Sequence, residues 1–232
     1  MSERASAPVN GTPGGTGRLE AVCVSAARPI RLPRAGDTQS AIDKRPVDGR
    51  VTVGPLGLDG DVQVNQKFHG GEGQALYAYA QEDADRWAAE LDRDLPAGRF
   101  GENLRTSGLD LTGAVLGERW RIGGVLVEVT APRTPCAKLQ AHWGVPRLIK
   151  RFTERGLPGA YLRVLQTGDL GAGDAVEIVE RPDHGITIGT TFRAFTTERA
   201  RLADLAPARS ALPARNRPAV DAAVAARADV GG

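Results

Sequence analysis

Cysteine is the scarcest chemistry-bearing residue of this 232-residue chain, which has two, Cys23 and Cys136. Two thiols cannot make a disulfide scaffold. They also exclude, from this chain alone, an iron–sulfur cluster or a zinc site held by four cysteines. Histidine is nearly as rare, with three, and aromatic residues make up 5%. An excess of one charge sign is missing as well: 30 basic against 28 acidic side chains leave +2. No global field therefore steers nucleic acid or an acidic membrane toward the protein. No run approaches the ~20 apolar residues of a membrane span, and no signal-peptide core follows the start. On this pattern the protein is expected to be soluble and cytoplasmic. Walker loops, GxGxxG before a helix, HExxH and paired CxxC are absent too.

Turn formers are abundant, with 29 glycines and 15 prolines. That usage disfavours a helical bundle and favours short strands joined by turns. Residues 1–17, rich in Gly, Ser, Thr and Pro, read as a disordered tail. Strand character follows in LEAVCVSA (19–26), RVTV (50–53), DVQVNQKF (61–68) and ALYAY (75–79). Cys23 falls inside the first of these and reads as a small buried hydrophobe. QEDADRWAAELDRDL (81–95) is an amphipathic helix with an acidic first turn. ERWRIGGVLVEVT (118–130) is a hairpin turning at Gly123-Gly124. PRLIKRFTERG (146–156) is a second helix, capped by Gly156, and AYLRVLQTG and AVEIVER return to strands. The expected fold is mainly β: a barrel-like domain over 18–181 with a few helices. After Pro182 the chain turns Ala/Arg-rich, with breaks at prolines 207, 213 and 218. Residues 182–232 are thus expected to form a small C-terminal module of two or three short helices.

The candidate chemistry lies in the turns. Cys136 sits in TAPRTPCAKL, where Pro132 and Pro135 stiffen the backbone into a fixed loop rather than a helix. Arg133 and Lys138 flank it, and nearby positive charge favours the thiolate, the form that attacks electrophiles and binds soft metals. FHGGEG (68–73) puts His69 before Gly70 and Gly71, where bare backbone N–H groups could approach an anion. GRFGENL (98–104) offers Asn103, KRPVDGRV (44–51) offers Lys44 and Arg45, and GLDGD (57–61) offers Asp59 and Asp61. The two aspartates are explained equally well as turn-forming residues.

Taken in order, KRPV, GLDGD, HGGEG, FGENL, APRTPC and GAYLRV resemble the MOSC family, named for the molybdenum cofactor sulfurase C-terminal domain, and most closely its YiiM-like branch. The resemblance runs from about Lys44 to Glu180. It implies a β-barrel-like fold, and a short helical module at the C-terminus. It also implies the molybdenum cofactor (molybdenum–molybdopterin), with Cys136 as the protein ligand to the metal. Lys44, Arg133, Lys138 and Arg163 are then candidates for the phosphate of the pterin, His69, Gly70 and Gly71 for one wall, and Asn103 for orienting cofactor or substrate. The activity implied is reduction of small N-hydroxylated compounds, including hydroxylamino bases, and so detoxification, with Cys136 and His69 as catalytic residues and His69 as proton donor. One thiol on a metal and one in the core leave none for an iron–sulfur relay, and no flavin or nicotinamide fingerprint is visible. Electrons must therefore come from a separate redox protein. Two other readings share these motifs: a carrier of the cofactor or of a persulfide on Cys136, and a metal-free enzyme using Cys136 and His69 as nucleophile and base. The C-terminal helices could pack against the barrel, cover the pocket, make a homodimer or dock the electron donor.

Overall fold

The computed structural model describes residues 15–33, 36–64 and 70–230. The N-terminal half runs through β1 (Thr16–Val24), β2 (Arg28–Leu32), β3 (Gly36–Ser40), β4 (Arg45–Pro46), β5 (Arg50–Gly54), β6 (Gly57–Leu58), β7 (Leu76–Ala80) and α1 (Gln81–Leu91). The middle holds β8 (Leu104–Ser107), β9 (Arg119–Ile122), β10 (Val125–Pro132), α2 (Ala137–Trp143) and α3 (Leu148–Arg155). Then come β11 (Ala160–Gln166), β12 (Gly168–Gly171), β13 (Ala175–Glu180), α4 (Ile188–Phe195), a 3-10 segment (Arg199–Ala208) and α5 (Arg217–Val230).

The main sheet orders its strands β13-β9-β10-β11-β7-β8-β1, and β1 pairs back onto β13, which closes a barrel. Closure removes open edges and needs curvature. Register breaks supply it: β10 slips against β11 between Leu126 and Val127 and again between Val129 and Ala131. Most pairs are antiparallel, as turn-rich sequence favours. The exception is β7 with β8, which run parallel, so the chain between them must cross over, and α1 is that crossover.

Strand β7 is buried on both faces, which explains its unbroken apolar sequence. Leu76, Ala78 and Ala80 enter the barrel core with Leu19, Leu104, Trp120, Val127 and Leu162. Tyr77 and Tyr79 point the other way, into a second core under α1, α2 and α3 with Trp87, Phe100, Trp143 and Phe152. Few as the aromatic residues are, most of them gather here. Tyr79 stacks on Phe100 at 3.8 Å between ring centroids, and Trp143 meets Phe100 edge-on at 4.8 Å.

The barrel expected from the strand pattern is present. Several local expectations change. Strand β1 starts at Thr16, pairing Thr16 and Gly17 with Glu177 and Val176, so order begins inside the expected tail. DVQVNQKF forms no strand over 61–64, and 65–68 lie outside the described residues. The hairpin of β2 and β3 has weak strand composition and was not expected. The loop expected at Cys136 continues directly into α2, for which Cys136 is the N-cap residue. The C-terminal segment is helical as expected, and its Ile188, Leu205, Leu212 and Val220 share the barrel's own core. Among the described residues no helix is long and apolar enough to cross a membrane.

Candidate functional site

Strand β10 delivers the site. It ends at Pro132, and Arg133 and Cys136 follow where Pro135 holds the chain extended before α2. Facing them are Tyr77 of β7, Tyr161 of β11, Asn103 just before β8, and the segments around Lys44 and Asp61. These residues, with Lys138, line one open-mouthed cavity whose empty volume, mouth included, is about 700 Å³. That lies in the range of small-molecule and cofactor pockets.

Charge in the cavity is organised in two groups. Arg133 is 5% exposed. Its guanidinium lies 5.5 Å from the Tyr77 ring centroid. Burial alone would lower its pKa, but neighbouring Cys136, Tyr161 and Tyr77, with a side-chain hydrogen bond to Cys136, hold it above the ordinary value. Its Nη1 is buried without a hydrogen-bond partner among the described residues. Burial, offset in part by Arg133, raises the Tyr161 phenol, which stays protonated.

The second group centres on Asp61. Its carboxylate accepts from the Ser25 N–H at 2.9 Å, from Asn103 Nδ2 at 2.9 Å and from Lys44 Nζ. Lys44 and Asp61 are each less than a tenth exposed, so neither can lose the other cheaply. Asn103 also donates to the Cys23 carbonyl at 3.3 Å and accepts from the Tyr77 N–H at 3.2 Å. Its amide therefore ties β1, β7 and the Asp61 segment together.

Of the residues singled out in the sequence, Lys44, Asn103, Arg133, Cys136 and Lys138 are brought to this cavity. Lys138 donates to the Gln39 carbonyl of β3 at 2.7 Å, fastening the hairpin beside the mouth. Gly70 and Gly71 stand behind the wall. Their N–H groups already donate to Gln74 Oε1 at 3.3 Å and Gln63 Oε1 at 2.9 Å. What Gly70 contributes is room: its φ is +148°, and a Cβ there would lie 2.4 Å from Gln63 Oε1. Arg163 is elsewhere. It pairs with Glu128 and donates to the Ala211 carbonyl at 3.3 Å, in a separate cleft against the C-terminal segment. Strand alternation puts it on the Tyr161 face, but two residues further along the strand, beyond the cavity. His69 lies outside the described residues. Cys23 is fully buried, with its thiol pushed up to about 12 chiefly by burial, which suits a packing role.

Sequence reading missed Tyr77, Tyr161, Gln63 and Gln74, all lining residues, and left Asp61 undecided between a site role and a turn. Asp61's partners lie 17 to 42 residues away, so no local pattern could announce them. Tyr161 had a signal: it lies within GAYLRV, one of the ordered motifs.

The donor set suits an anionic group that brings most of its own metal ligands. Among the described residues no three His, Cys, Asp or Glu side chains converge as a metal cage. One half-buried thiol is present, beside a buried guanidinium with an N–H group that no described residue uses, with Lys44 and Lys138 on the walls. A phosphorylated pterin dithiolene, which supplies two sulfurs itself, fits that arrangement.

The family model described as the MOSC domain matches residues 65–177. Protein YiiM of Escherichia coli (strain K12) is 37% identical over 145 residues, which are 61% of this chain and 65% of that protein. A Gibberella moniliformis protein named Reductase is 36% identical over 151 residues, 63% of this chain but 27% of that longer one. Among solved structures, YiiM from Geobacillus stearothermophilus superposes with a TM-score of 0.74 at 30% identity, covering 89% of this chain and 98% of that one.

Proposed function

Because this chain belongs to the MOSC domain family, in its YiiM-like branch, we propose that it binds the molybdenum cofactor and reduces small N-hydroxylated compounds. The observation that carries the proposal is the pairing of the Cys136 thiol with Arg133, whose buried Nη1 has no partner among the described residues, at one cavity. The name of the fungal relative supports a reductase, in a chain of which this match is about a quarter.

In this reading Cys136 is the protein ligand to the metal. Arg133, Lys44 and Lys138 balance the cofactor's negative charge, arginine by a fork of N–H donors and lysine as point charges. When bound, the cofactor supplies two-electron chemistry able to remove an oxygen atom. The balance is R–NHOH plus two electrons and two protons giving R–NH2 and water. Tyr161, partly exposed on the cavity wall, offers an aromatic face to a planar base. The Asp61 cluster holds Lys44 in place while the substrate exchanges. We assign a proton to His69, from its position in the chain and the near-neutral pKa of imidazole. Electrons come from a separate protein, since the two thiols leave none for a relay.

The test is metal and pterin analysis of protein made in a cofactor-producing host, followed by turnover of a hydroxylamino base. Bound cofactor and activity with an artificial electron donor are expected, with no turnover on NAD(P)H alone. Cys136→Ala should abolish activity. Absence of molybdenum and pterin would overturn the proposal. Cofactor bound without turnover under any donor would instead favour a cofactor or sulfur carrier.

A further inference from the structure

A second cleft, about 450 Å³ in empty volume, opens between the segment 43–45 and the loop 93–99 that follows α1. Among the described residues Lys44 alone lines both this cleft and the Cys136 cavity, and its amine is committed to Asp61 on the cavity side. Three guanidiniums, Arg45, Arg93 and Arg99, approach the cleft from its two walls. Arg45 pairs with Asp43 at 3.0 Å. Among the described residues, Arg93 and Arg99 have no carboxylate within ion-pair distance, although Asp94 also lines the cleft.

Both arginines are held in place all the same. Arg93 donates to the Trp143 carbonyl at 3.2 Å and lies 5.5 Å from that residue's ring centroid. Arg99 donates to the His142 carbonyl at 3.1 Å. The loop carrying them is closed against the Lys44 backbone by Gly98, where φ is +89° and a Cβ would stand 2.2 Å from the Lys44 carbonyl oxygen. Arg93 Nε and Nη2 are buried without a hydrogen-bond partner among the described residues. Arg99 is held below its ordinary pKa by burial first and then by Arg93, with Arg45 adding to the effect and Asp43 opposing it. Partly buried cations that repel one another are stabilised by a shared counter-ion.

We propose that this cleft is an anion site for the phosphate group of a small molecule, separate from the cavity around Cys136. A tetrahedral oxyanion presents several oxygens to guanidiniums arriving from different sides, whereas a carboxylate presents two. Anchoring by backbone carbonyls and by Trp143 lowers the ordering cost of binding. The inference does not depend on the cofactor reading.

The test is calorimetric titration of the full chain with inorganic phosphate, at constant ionic strength set with chloride. It is run on the wild type and on Arg133→Gln, which removes the anion donor of the other cavity. Lys138→Gln, at a half-buried position on the wall of that cavity, replaces that background if Arg133→Gln does not fold. Saturable phosphate binding is expected in both backgrounds, weakened at least tenfold by Arg99→Gln and several-fold by Arg45→Gln, whose exposed side chain is not needed for folding. Acetate at equal concentration should not compete. The proposal is overturned if phosphate does not saturate in the cavity variant, if both arginine substitutions leave affinity within twofold, or if acetate binds as well as phosphate.

Discussion

At the scale of single residues, burial does most to decide what the ionisable groups do. Asp83, in the first turn of α1, is buried, and this raises its pKa from 3.8 to about 6, with Arg86 opposing the shift. His142 shows the converse, lowered from 6.5 to about 4 by burial and then by Arg99. The signs follow from proton linkage. A carboxyl with a raised folded pKa favours folding below 3.8 and loses that contribution as pH rises to 6. A histidine with a depressed one favours folding above 6.5 and loses it as pH falls toward 4. Each is on the order of 3 kcal/mol at the extremes, and between them they partly cancel. Urea midpoints at pH 4, 5 and 6 should therefore rise more steeply with pH in Asp83→Asn than in the wild type, and less steeply in His142→Asn. An unchanged slope in Asp83→Asn would sink this account. The first-turn position of Asp83 is readable from the sequence, but its burial is not, because that turn is covered only once α1 docks on the aromatic core.

At the scale of elements, the loop between α1 and β8 matters most, since it carries both Asn103 of the cavity and Arg93 and Arg99 of the second cleft. A buried ion pair holds it. Glu102 and Arg105 are 0% and 1% exposed, and Glu102 also accepts from the Gly98 N–H at 2.7 Å and the Phe100 N–H at 2.8 Å. Arg105 reaches the Pro96 carbonyl at 3.2 Å and Gln81 at 2.9 Å. Glu102→Gln would leave a buried guanidinium without its counter-charge, and the expected loss is about 3–5 kcal/mol in urea unfolding. A loss below about 1 kcal/mol would mean that the backbone hydrogen bonds hold the loop without the charge. The helices α1 and α3 and the hairpin of β9 and β10 were legible because their apolar spacing and turn residues are local. Helix α2 was not: its seven residues follow two prolines that read as loop, and Leu139 and Trp143 become a buried face only against the aromatic core.

At the scale of the whole molecule, the C-terminal segment is continuous with the barrel's interior. Leu205, Leu212 and Val220 are fully buried in the same cluster as Leu19 and Trp120. Pro213 packs on Gly73, where a Cβ would stand 3.0 Å away, and so backs the turn that carries Gln74. Ending the chain after Arg181 should abolish cooperative thermal unfolding rather than release an intact barrel. A truncated chain that melts sharply near the full-length temperature would show the segment to be a dispensable appendage. By itself, the sequence determined that the chain is rich in strands and turns, that four thiolates could not serve it, and that six motifs follow in MOSC order. These are local patterns or counts, readable before anything folds. Only the tertiary structure decided that Asp61 anchors Lys44, that Arg163 turns to another cleft, and that Arg133 meets Cys136 beside Tyr161. Those relations depend on barrel closure and strand register, which bring residues tens of positions apart within a hydrogen bond of each other.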